Sequence, residues 1–365
     1  MNFSWALERV GDGGAAALGG LVVGLLFGFC AQRSRFCLRA ATIEFWRGSL
    51  GPRTSVWLMV FGAALLGTQL LFVLNSLDAS QVRQLSQTGT LSGAVIGGSL
   101  FGIGTILARG CASRLLVLSA TGNLRALVAG LILTVAAQAS LSGALSPLRL
   151  ELASWWTVTP AARDLASVLP PYAGLMIALP TLTLALWLAR RHRLGPGIML
   201  TGLGVGSAVV LGWWFNATLT RQAFDIIPVQ SVSFSGPSAD TLMVLISQPE
   251  VTVSFGLGLV PGVFAGSFLS AISAGEFRIE TFNNEVSLPR YIIGAILMGF
   301  GSMLAGGCAV GAGVTGGSVM ALTAWIALFC MWVSAGITDL LLDLSLIHIS
   351  EPTRPTATSR MPSSA

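Results

Sequence analysis

The sequence predicts an all-α integral membrane protein of about nine transmembrane helices, with re-entrant half-helices in an inverted repeat. Three observations predict it. The 365 residues are 53% hydrophobic and only 10% charged, where a soluble domain carries about 25% charged residues. Nine apolar segments each approach the roughly 20 residues that one helix needs to cross a bilayer core. A glycine-rich pattern ending in cysteine occurs twice, at a constant offset of 197 residues.

The nine segments fall at about 14–32, 54–74, 91–108, 122–142, 172–189, 196–216, 251–273, 290–305 and 318–342. Mean hydropathy is +0.79 over the chain. All 20 basic residues are Arg, and their placement orients the spans by the positive-inside rule. With the N-terminus outside, thirteen arginines collect at inner loops and helix ends, among them Arg39, Arg109, Arg114 and Arg290. Five remain outside, at Arg9, Arg83, Arg149, Arg163 and Arg221. Nine crossings then leave the C-terminus cytoplasmic. The opening "MNFSWALERVGDGG" lacks the basic n-region and small-residue cleavage site of a signal peptide, so the first span is expected to stay in the mature protein.

The polytopic domain is read as residues 1–343, with repeat halves at about 14–142 and 251–343. The string "LSLIHISEPTRP", Leu344 to Pro355, reads as an in-frame translation of a sequencing adapter. Residues 344–365 are therefore treated as a non-native tail and take no part in the functional reading.

The repeat pairs "IGGSLFGIGTILARGCASR" (96–114) with "IGAILMGFGSMLAGGCAVG" (293–311). Gly97, Gly102, Gly104, Gly110 and Cys111 fall on Gly294, Gly299, Gly301, Gly307 and Cys308. Five crossings separate spans 3 and 8, so the two copies run in opposite directions, as in secondary transporters built from inverted repeats. Span 7, "GLVPGVFAGSF", is weakly similar to span 1, "GLLFGFCAQRS", and is expected to repeat it. Each glycine costs a helix roughly 1 kcal/mol relative to alanine. A broken backbone inside a bilayer is tolerated where it packs in protein or lines a wet cavity. Gly306, Gly307, Gly311 and Gly313 are expected to turn the chain back. The freed N–H groups of such a turn suit an anion, and close helix packing through small residues is the competing account.

Five cysteines are too few and too scattered for a disulfide framework in a chain of this kind. Cys30 and Cys37 lie seven apart, outside zinc-knuckle spacing, and the one His before the tail, His192, sits in "ARRHRLG". No metal site, cofactor or catalytic residue is expected. No G-x-x-x-x-G-K-[ST] motif is present, and a net charge of +5 gives no case for a nucleic-acid partner. Cys330, inside "AWIALFCMWV", reads as an ordinary helix residue, as Cys30 does. Arg109 and Arg114 flank Cys111, either snorkelling to the surface or meeting an anion.

"QRSRFCLRA", "GTILARGCASRLLVLSATGNLRAL" and "GSMLAGGCAVGAGVTGGSVMAL" resemble the YeeE/YedE family of sulphur-transport membrane proteins, across roughly residues 15 to 340. The resemblance implies a multi-pass bacterial inner-membrane protein, not an enzyme, that passes thiosulfate along pore cysteines. By motif that role carries over to Cys37, Cys111 and Cys308; the residues themselves point to Arg109, Arg114, Gly110 and Gly307 as support for the anion. It also implies a separate small sulfur-carrier partner of the TusA type. Thiosulfate is a dianion with a soft terminal sulfur, and a thiol offers a weak donor and a polarizable atom that grip it loosely. Two alternatives stay open: a membrane thiol or persulfide relay using Cys37 or Cys111, and a selenium-related transporter.

Overall fold

The computed structural model describes residues 4–170, 172–223, 228–246, 253–281 and 288–349. The suspected tail lies outside these residues from Ser350 onward, while the last helix continues to Ile349. Sixteen helices follow in chain order. They are α1 (Ser4–Ser34), α2 (Leu38–Trp46), α3 (Pro52–Val73), α4 (Arg83–Ser86), α5 (Leu91–Leu107), α6 (Ala112–Ala120), α7 (Leu124–Ser142) and α8 (Ser146–Ser154). After them come α9 (Pro160–Arg163), α10 (Leu165–Val168), α11 (Ala173–Arg191), α12 (Pro196–Thr220), α13 (Ser235–Ile246), α14 (Phe255–Ser273), α15 (Leu288–Leu304) and α16 (Leu322–Ile349). A π-helical segment, Ala309–Gly316, separates α15 from α16. The two strands are two residues each, β1 (Gly89–Thr90) and β2 (Thr157–Val158).

Among the described residues nine helical stretches are long and apolar enough to cross a membrane. The sequence expectation for all nine holds, with three extensions. The first stretch runs from Arg9 to Trp46, through a non-helical Gly11 and on into α2. The third and eighth run past their breaks, to Ala120 and Gly316. Local chemistry sets several starts. Pro52 and Pro196 open α3 and α12, where a missing N–H costs nothing. Asn123 caps α7 by accepting the Ala126 N–H at 2.9 Å.

The core is held by backbone-to-backbone approaches at glycine. α5 and α15 cross at the centre. A Cβ on Gly97 would stand 2.6 Å from the Gly301 carbonyl oxygen, and one on Gly301 would stand 2.7 Å from that of Gly97. Gly104 and Gly294 meet in the same reciprocal way, at 2.5 and 2.9 Å. Residue 97 faces 301 while 104 faces 294, so the helices are antiparallel. α16 lies along α5, where Gly102 faces the Met331 carbonyl and the Ala335 N–H. α7 lies along α15, where Gly299 faces the Leu133 carbonyl and the Ala137 N–H.

A second layer has the same plan. α1 and α12 run antiparallel, with Gly19 against Phe215 and Gly204 against Cys30. α14 lies along α1, Gly24 meeting Leu259, and α3 lies along α12, Gly206 meeting Val60 and Ala64. α11 covers the outside of α3, at Gly62 against Leu182. In lipid there is no hydrophobic drive between helices, so small residues that let backbones touch supply the packing. One expectation is overturned here. Gly258 sits on Ala17 and Gly262 on Leu21, so α14 runs parallel to α1. An inverted copy would run the other way; α14 stands to α1 as α3 stands to α12.

Candidate functional site

The helix breaks are built from the same bonds at the same repeat positions. Gly110 N–H donates to the Thr105 carbonyl at 3.1 Å, and Gly307 N–H to the Ser302 carbonyl at 2.8 Å. Leu115 N–H donates to the Cys111 carbonyl at 2.9 Å, and Ala312 N–H to that of Cys308 at 2.8 Å. Arg109 and Gly306 both take left-handed backbone, with φ of 57° and 80°. The second break is shorter than the sequence suggested. Gly311 and Gly313 do not turn the chain; they lie inside the π-helical segment, packed on Ser233 and Leu328. π-Helical geometry is rare and is found frequently at functional sites.

Cys37, Cys111 and Cys308 share one structural position. Each is the extended residue just before a short helical element: α2, α6 and the π-helical segment. A thiol there stands beside the first N–H groups of the element, whose dipole end is positive. Cys308 Sγ accepts the Gly311 N–H at 3.4 Å, and Cys111 Sγ lies 3.4 Å from Ser113 Oγ. Cys111 and Cys308 are each 1% exposed, and Cys37 is half-buried. The structure brings two of the three together: the Cys37 and Cys111 thiols are close neighbours. Cys308 belongs to the other break. Cys30 packs on Gly204 and Cys330 on Gly98, in ordinary helix contacts.

Arg114 adds charge beside the Cys37–Cys111 pair. Its Nη1 donates to Gln32 Oε1 at 3.4 Å, Gln32 Nε2 donates to Glu276 at 2.9 Å, and Arg35 completes the chain on Glu276 at 3.3 Å. Sequence reading missed Gln32 and Glu276, because 244 residues separate them.

Two polar cavities open at opposite ends of α15. One, of about 410 Å³, reaches Ser302, Gly306 and Gly307 at the C-terminal end. Arg83, Arg149 and Asp240 line it together with Ser231, Ser233 and Ser235. Burial pushes the Asp240 carboxyl above the usual carboxylate range, against the pull of Arg83. The other cavity, of about 480 Å³, takes in Arg290 at the N-terminal end, with Arg39, Arg47 and Arg109. Each cavity ends one or two residues from a candidate cysteine: Gly307 precedes Cys308, Arg109 precedes Cys111, and Arg39 follows Cys37. Sequence reading also missed the serines, whose signal is the alternation in "QSVSFS".

A family described as sulphur transport matches residues 33–337. The chain belongs to the sulphur-transport family. The chain is also similar to thiosulfate transporter TsuA of Escherichia coli K12, 27% identical over 86% of this chain and 91% of that protein. Thiosulfate transporter TsuA of Spirochaeta thermophila is 31% identical over 84% of this chain and 93% of that protein. The matched region of this sulphur-transport protein contains both helix breaks and all three capping cysteines.

Proposed function

We propose that the protein carries thiosulfate, or a closely related sulfur dianion, across the membrane along Cys308, Cys111 and Cys37. The observation that carries this reading is the placement of three cysteines at helix-capping positions, next to two polar cavities at opposite ends of one helix. The relatives named thiosulfate transporters support the choice of ion. The ion enters the serine-lined cavity, exchanges water for the weak S–H donors and short-helix N-termini, and leaves past Cys37. Loose, repeated contacts suit conduction, since a site that binds too tightly does not release. Arg114 holds positive charge beside the Cys37–Cys111 pair, Gly110 and Gly307 bring the backbone close, and Arg109 waits at the second cavity.

The glycine contacts support an inverted repeat of four spans each, α1 to α7 and α12 to α16, with α11 between them. That places the start of the second half at 196, earlier than the 251 expected from sequence. The arginine bias supports an N-terminus outside and a cytoplasmic C-terminus in a bacterial inner membrane. The second cavity then faces the cytoplasm, where a TusA-like carrier would collect the ion.

The test is uptake of labelled thiosulfate into proteoliposomes. Uptake by the wild type and its sharp loss in Cys111→Ala and Cys308→Ala are expected. Normal uptake by the double variant would remove the cysteines from the path. The adjacency of Cys37 and Cys111 also favours one second reading, a persulfide relay. A persulfide found on Cys37 or Cys111 by mass spectrometry, in protein that moves no ion, would select it.

A further inference from the structure

We propose that the cavity at the α2 end is a binding site for one small divalent oxyanion, held by Arg39, Arg109 and Arg290. It extends the transport reading by naming a second stopping place. The cavity's lining carries four guanidinium groups, with Arg47 the fourth, against the carboxylates of Glu44 and Asp339, an excess of two positive charges. Both carboxylates are engaged. Asp339 Oδ2 accepts from Arg47 Nε and Nη2 at 3.3 and 3.0 Å. Glu44 Oε2 accepts from the Thr54 N–H and hydroxyl at 2.7 and 2.9 Å.

Among the described residues the other three guanidiniums have no such partner. Among the described residues none of Arg39, Arg109 and Arg290 forms an ion pair, and the Nε atoms of Arg39 and Arg290 are buried without a hydrogen-bond acceptor. Native structures rarely leave buried donors unpaired, because each forfeits its water for nothing. Like charges gathered in one cavity also repel, and an anion between them reverses the sign.

The backbone gives an independent argument. Arg109 holds a left-handed φ of 57°, in the repeat position where the other copy uses Gly306 at 80°. Left-handed backbone is strained for any side chain with a Cβ. The chain keeps a guanidinium where glycine would sit without strain, and strain of this kind clusters at ligand sites. Guanidinium forks suit an oxyanion with several equivalent oxygens. The site therefore reads the oxygen face that sulfate and thiosulfate share, while the cysteines read the soft sulfur.

The experiment uses the full chain in neutral detergent, with labelled sulfate as the probe because it lacks the soft sulfur. Saturable binding of one sulfate, weakened by salt, is expected, and it should persist in the Cys37→Ala, Cys111→Ala, Cys308→Ala chain. Arg39→Gln and Arg290→Gln should each weaken it by roughly tenfold or more. Arg109→Gly should weaken it too, while thermal unfolding stays level or improves because the strain is gone. Unchanged sulfate binding in all three arginine variants overturns the site, as does the absence of binding to folded wild type. Occupancy by an anionic phospholipid headgroup in place of the free ion also overturns it. None of these results depends on uptake, so the site and the transport path fail separately.

Discussion

Gly97 and Gly301 touch backbone to backbone: a Cβ on either would stand under 2.8 Å from the other's carbonyl oxygen, at 2.6 and 2.7 Å. A side chain facing another side chain can rotate aside, but a carbonyl in a helix ladder cannot. The crossing of α5 and α15 therefore depends on both glycines, and both breaks hang from it. Gly301→Leu should lower unfolding stability by about 1–3 kcal/mol through overpacking. Thermal unfolding of purified protein measures it. Val95, exposed on α5, gives the control: Val95→Ala should change little.

The nine spans were legible because crossing a bilayer fixes both length and polarity. The two helix breaks were legible at Gly97–Cys111 and Gly294–Cys308 because close approach leaves no choice of residue. The pairing of α14 with α1 was misread, since similar glycine spacing also arises where two parallel helices pack. Gly311 and Gly313 were misread for a related reason: sequence shows that a Cβ is absent, not whether the cause is a turn or a neighbour. The Gln32–Glu276 contact and the convergence of Arg39, Arg109 and Arg290 join distant segments through tertiary folding, and no local pattern records that.

The cysteines separate by position. Cys111→Ala and Cys308→Ala keep the volume nearly unchanged and remove a thiol at a break, so thiosulfate uptake should fall by roughly tenfold or more. Cys330→Ala removes a thiol from a helix packed on Gly98, and uptake should stay within about twofold. Equal loss in all three, with equal amounts of folded protein in the membrane, would mean general damage and not a path.

Asp240 gives the first cavity a pH dependence. Its carboxyl is held above the usual range by burial, so the folded state keeps the proton more tightly than the unfolded chain. The stability this contributes is present at low pH and is lost as pH rises through the raised value. Among the described lining residues Asp240 is the one carboxylate, and acidification neutralises it beside Arg83 and Arg149. Thiosulfate uptake should rise as pH falls through that range, and Asp240→Asn should flatten the profile at its acidic level. A profile unchanged by Asp240→Asn would assign the dependence elsewhere.

Gly110 and Gly307 hold the same repeat position, yet they should not tolerate the same change. A Cβ on Gly307 would stand 2.7 Å from the Ala312 backbone nitrogen, inside the π-helical segment that Cys308 caps. A Cβ on Gly110 would come nearest Leu115 Cδ2, at 3.3 Å, the end of a flexible side chain, with its other neighbours at ordinary contact distance. Gly307→Ala must therefore displace the backbone that places Cys308, whereas Gly110→Ala asks a few tenths of an ångström from one leucine. Uptake should be lost in Gly307→Ala and largely kept in Gly110→Ala. Alkylation of Cys308 checks the cause: its rate should change in Gly307→Ala, because the thiol has moved. If Gly110→Ala were as damaging as Gly307→Ala, the first break would have to serve by direct backbone contact with the ion, since packing alone gives it no reason to fail.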